Sequence, residues 1–129
     1  MKKICLISVY FGKLPKYFQL WLDSCKGNPN VDFLVFIDDR TEFRYPDNVK
    51  RYFMSFEEVR TRFQLLFDFK IQLNTPYKLC DYKPAYGEAF IDYIDGYDFW
   101  GYCDIDIIWG DIRKYITEEK LSKLFVKPL

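Results

Sequence analysis

The sequence predicts an α/β fold built on a mostly parallel sheet. Short apolar runs rich in β-branched and aromatic residues alternate with segments whose apolar residues recur at helical spacing. Alternation of this kind lays helices on the faces of a parallel sheet, joined by right-handed crossovers. Of the 129 residues, 50% are hydrophobic and 21% aromatic, which excludes a disordered chain and provides for one core and one domain.

Ile4 to Phe11 reads as a buried first strand. Lys2-Lys3 ahead of it imitates a signal peptide, but the apolar run is short and no small-residue cleavage site follows. Gly12 ends the strand and Pro15 opens a helix, with Leu14, Phe18, Trp21, Leu22 and Cys25 on one face. Gly27-Asn28-Pro29-Asn30 stops that helix. Val31 to Ile37 is a second strand, ending in Asp38-Asp39, and Thr41 to Asn48 is a loop. Val49 to Met54 is a third strand. Ser55-Phe56-Glu57-Glu58 is a capping box, with Met54 and Val59 placed as a hydrophobic staple. The helix that follows turns Phe56, Val59, Phe63 and Leu66 inward. Asn74-Thr75-Pro76 marks a turn. Pro84 starts a further helix carrying Tyr86, Phe90, Tyr93 and Ile94 on one face, with Gly96 as its stop. Tyr97 to Cys103 is a strand that runs into Asp104-Ile105-Asp106, and Ile107 to Trp109 continues it after a kink. A short helix follows Gly110, and Thr117 caps a last one with Leu121, Leu124 and Phe125 inward.

Nineteen basic and nineteen acidic side chains leave no net charge, which argues against a general electrostatic grip on nucleic acid. Cys5, Cys25, Cys80 and Cys103 form no C-x-x-C pair, and the chain has no histidine, which argues against structural zinc. Reduced, buried thiols are the ordinary state of cysteines in such apolar stretches, and they point to a cytoplasmic setting. No segment is long enough to span a membrane.

Ligands of open parallel sheets bind beyond the carboxyl ends of the strands. Tyr10-Phe11-Gly12, Asp38-Asp39-Arg40 and Asp104-Ile105-Asp106 fall at such ends. In extended backbone Asp104 and Asp106 point to one side and Ile105 to the other. Two carboxylates there can hold one hard cation, Mg2+ or Mn2+, whose remaining ligands a diphosphate and water supply. They also suit a solvated strand end. Asp38 and Asp39 can accept from a base or ribose, or serve turn chemistry. Tyr10 and Phe11 can stack on a base or pack in the core. Lys78, Asp81 and Lys83, before the Pro84 helix, can meet phosphate beside free backbone N–H groups, or form a solvated turn. Arg113 can touch phosphate or face solvent. Trp100 and Trp109 read as packing residues.

Phe11-Gly12-Lys13-Leu14-Pro15, Trp21-Leu22-Asp23-Ser24-Cys25 and Phe36-Ile37-Asp38-Asp39 resemble a family of bacterial polysaccharide-associated proteins. So do residues 77–87, Tyr-Lys-Leu-Cys-Asp-Tyr-Lys-Pro-Ala-Tyr-Gly, and 100–106, Trp-Gly-Tyr-Cys-Asp-Ile-Asp. That family is similar to GT-A glycosyltransferases, whose nucleotide-binding half is a Rossmann-like α/β fold. The resemblance implies a metal site at Asp104 and Asp106, and a nucleotide site at Tyr10, Phe11, Gly12, Asp38 and Asp39. It places Lys78, Asp81 and Lys83 near the diphosphate or sugar. It implies Mn2+ or Mg2+ as cofactor, a nucleotide diphosphate sugar (UDP-sugar favoured) as donor and a glycan as acceptor, with peripheral contact to a membrane left open. GT-A transferases continue well past the Asp-x-Asp into an acceptor site. Residues 1–129 are therefore expected to form one nucleotide-sugar-binding domain that stops before that part. The alternative is a non-catalytic fragment that binds the nucleotide sugar and transfers nothing. A phosphatase-like use of Asp-x-Asp fits poorly, because the nucleophilic aspartate of such enzymes follows an early strand and this pair comes late.

Overall fold

The computed structural model describes residues 1–123. It contains β1 (Ile4–Tyr10), α1 (Phe18–Lys26), β2 (Asp32–Ile37), β3 (Val49–Phe53) and α2 (Phe56–Gln64). A 3-10 segment (Pro76–Ala85), α3 (Tyr86–Ala89), β4 (Phe99–Tyr102), α4 (Ile112–Tyr115) and α5 (Glu118–Ser122) follow. The four strands form one all-parallel sheet in the order β3-β2-β1-β4, flanked by helices, which is a Rossmann-like α/β arrangement. Register is set by alternation: a slip of one residue would turn every side chain to the wrong face. Phe33, Val35 and Ile37 face one layer while Leu34 and Phe36 face the other.

The first layer is α1 together with the chain after β4. Leu14, Phe18, Trp21, Leu22 and Cys25 are all buried there, as the helical spacing requires, with Ile105, Ile112 and Leu121 beside them. The second layer is α2, the 3-10 segment and α3, packed on Cys5, Ile7, Leu34 and Phe36. Phe36 stacks on Phe90 with ring centroids 4.1 Å apart.

Parallel strands usually need a helix to cross over. Between β2 and β3, residues 38–48 do so without one. Phe43 and Tyr45 of this loop pack edge-on against Phe18, at 5.2 and 6.0 Å. The Gln19 amide donates to the Arg44 carbonyl and accepts from the Arg44 N–H, at 3.0 and 2.8 Å, standing in for a missing strand partner.

Two expectations change. The helix expected from Pro84 to Gly96 is instead a 3-10 segment followed by the four-residue α3 and turns. Pro84 inside the 3-10 segment has no N–H to donate, so an α-helical ladder cannot run through residues 76–85. Tyr86, Phe90 and Ile94 are nonetheless buried, as expected. Ile107 to Trp109 is not strand. The chain turns back toward the opposite sheet edge, where the Asn28 amide donates to the Gly110 carbonyl and accepts from the Ile112 N–H, at 2.8 and 2.9 Å. Leu124 and Phe125 lie outside the described residues. Thr117 caps α5 through the Lys120 N–H, and Leu121 is buried.

Candidate functional site

In the order β3-β2-β1-β4 the chain steps outward from β1 through β2 to β3, then returns to place β4 on the other side of β1. The connection leaving β1 passes over the first layer, whereas the one that returns from β3 to β4 passes over the second. This is the switch point at which open α/β sheets hold ligands. A cavity of about 260 Å³ opens there, lined by Tyr10 and Phe11 at the end of β1 and by Cys103 and Asp104 just after β4.

Its far wall is the 3-10 segment. In that geometry residues three apart eclipse one another. Tyr77, Cys80 and Lys83 accordingly line the cavity in one row, and Tyr86 follows at the same interval. A three-residue rhythm in the sequence was the available signal for Tyr77, Cys80 and Tyr86, which were not among the expected site residues; an α-helical period conceals it. Lys78 and Asp81 fall off the row. They are exposed, sit 4.0 Å apart as a pair of their own, and do not line the cavity.

Lys83 lies at the centre of the polar wall. Its Nζ is 2.7 Å from Asp104 Oδ1, and this bond raises the lysine pKa above its ordinary value. Burial, with the Asp104 charge adding to it, pushes the Cys103 thiol up to about 12, which makes it a packing residue and not a nucleophile. Cys5, Cys25 and Cys103 are buried and Cys80 is exposed; all four are free thiols.

Asp104 and Asp106 are exposed, while Ile105 between them is buried in the first layer. Asp106 does not line the cavity. Their donors are carboxylate oxygens, the hard ligands that Mg2+ and Mn2+ prefer. Among the described residues no three His, Cys, Asp or Glu side chains gather as a metal group. The two acids fit a cation only if phosphate and water complete its shell.

The end of β2 is used differently. Asp38 Oδ1 accepts from the Gly12 N–H at 2.9 Å. Asp39 accepts from the Leu14 N–H at 2.8 Å, from the Thr41 N–H at 2.9 Å and from the Thr41 hydroxyl at 2.7 Å. The Thr41 hydroxyl first, then the two N–H groups, hold its pKa below the ordinary carboxylate range. These aspartates fasten the β1–α1 loop to β2, and Gly12 takes the positive φ of 96° that the loop needs. Asp38 also borders a second cavity of about 220 Å³ with Arg40, Phe53 and Glu58, separate from the one at the switch point. Arg113 points away from both: it bonds Glu118 at 2.5 Å and the Lys2 carbonyl at 3.1 Å, at the opposite sheet edge. Trp100 and Trp109 pack against the two cores.

The fold and cavity together define a Rossmann-like protein with a polar and aromatic site at its topological switch point. The chain belongs to the DUF6625 family, a family of unknown function, whose sequence profile matches residues 6–126. No curated protein matches the chain.

Proposed function

We propose that this chain is the donor-binding domain of a metal-dependent glycosyltransferase of the GT-A type, acting on a nucleotide diphosphate sugar and a glycan acceptor. The observation that carries this reading is the cavity at the β1/β4 switch point, with Lys83 and Asp104 in its wall. Each part has a chemical task. Tyr10, Phe11 and Tyr77 offer aromatic faces to a base. The Lys83 ammonium is a point charge for phosphate oxygens. Asp104 and Asp106 would hold the divalent cation, which when bound neutralises charge developing on the leaving diphosphate. The domain thus contributes positioning and charge stabilisation.

Calorimetric titration of UDP with and without Mn2+ tests this. Binding is expected to require Mn2+ and to fall sharply in Asp104→Ala. Binding that ignores the metal, or is unchanged in Asp104→Ala, would reject the site.

A further inference from the structure

We propose that the Lys83–Asp104 pair is a latch that makes cation and diphosphate binding interdependent. The inference rests on the donor-site reading above. Lys83 is stationed by three features: its place in the 3-10 row, the Asp104 oxygen at 2.7 Å, and the Tyr102 ring, whose centroid is 5.8 Å from Nζ. The lysine side chain is only 19% exposed, against 58% for Asp104. Lys83 therefore already occupies, as a positive charge, a carboxylate oxygen that a divalent cation needs.

Lys83 competes with a cation for Asp104, and among the described residues lining the cavity no second carboxylate awaits the lysine. A diphosphate supplies another anion. Its oxygens accept from the ammonium, Asp104 is freed, and further phosphate oxygens complete the cation's shell. Each ligand then improves the affinity of the other, by the same factor in both directions. A nucleoside without phosphate gains nothing. The nearby Lys78–Asp81 pair, 4.0 Å apart, exposed and outside the cavity, serves as the control.

The test measures Mn2+ affinity by electron paramagnetic resonance, alone and with saturating UDP, with the Mn2+–UDP complex in solution accounted for. UDP is expected to tighten Mn2+ binding to the wild-type chain at least about fivefold, the low end of usual coupling. Lys83→Met should bind Mn2+ alone several-fold more tightly, with the coupling reduced to the part that phosphate coordination of the cation supplies. Lys78→Met should match wild type, and Asp106→Asn should lose Mn2+ with the latch intact. Thermal melting confirms that each variant is folded. Lys83→Gln, which removes the charge but keeps a donor for Asp104, replaces the methionine variant if that one melts. Unchanged Mn2+ affinity and coupling in Lys83→Met would overturn the latch and leave the donor site standing. UDP binding through Lys83 with no need for Mn2+ would also overturn it, because the lysine would then replace the cation. Folded wild-type chain that binds neither UDP nor Mn2+ would remove the site itself.

Discussion

Asn48 directs one buried amide at three carbonyls, those of Cys25, Asn28 and Val31, at 2.8, 2.9 and 3.0 Å. It joins the end of α1, the entry to β2 and the start of β3. Removing that donor withdraws buried hydrogen bonds, while the Cys25 and Asn28 carbonyls keep the Asn28 and Val31 N–H groups, so the cost is about 0.5–1.5 kcal/mol. Asn48→Ala is expected to lower the stability from urea denaturation by that amount. Asn48→Asp is expected to be worse, since it aims a carboxylate at the same oxygens; an aspartate variant as stable as the alanine one would refute the account. None of this was legible in the sequence, where Asn48 closes a polar loop and Asn28 stops a helix. Hydrogen bonds between residues twenty apart leave no local period. The same limit hid the work of Asp38 and Asp39, which read equally well as ligands or as turn residues until their backbone donors were located.

Elements with strong local signals were legible. The capping box at Ser55 forms in both directions, with the Ser55 hydroxyl accepting from the Glu58 N–H and the Glu58 carboxylate from the Ser55 N–H. The apolar face of α1 is buried as its spacing dictates. The wall of the cavity was not legible, because two prolines and a three-residue period depart from the helix that Tyr86, Phe90 and Ile94 suggest. The close seat of α3 on β4 requires Gly87. A Cβ on Gly87 would lie 2.2 Å from Trp100 Cε2, inside the indole. Gly87→Ala is therefore expected to cost about 1–3 kcal/mol through displacement of Trp100, read as a lowered denaturation midpoint. A double variant with a smaller residue at Trp100 should recover part of the loss caused by the clash.

Across the whole molecule the second layer is tied together by charge as well as packing. Arg62 of α2 holds Asp92 beyond α3 in a two-pronged bond, at 2.7 and 3.0 Å, and also donates to the Ala89 carbonyl. The Arg62 hydrogen bonds keep the Asp92 carboxyl below its ordinary range. A carboxyl depressed on folding stabilises fully above its unfolded pKa, near 3.9, and less as pH falls through the lower folded value. Asp92→Asn is thus expected to be less stable than wild type by about 0.5–1 kcal/mol near neutrality, as suits a half-exposed pair. The gap should narrow when denaturation is repeated in strong acid; a gap independent of pH would refute the assignment. The α/β class and parallel sheet were readable from the rhythm of strands and helices, whereas the order β3-β2-β1-β4 was not, since it depends on which face each crossover takes. That order has a further effect during synthesis. β1 leaves the ribosome first, but its last neighbour, β4, spans residues 99–102. One side of β1 must wait, unpaired, until residue 102 has been translated. Exposed strand margins of this kind invite association between nascent chains, so growth conditions that slow elongation should place the heaviest demand on chaperones.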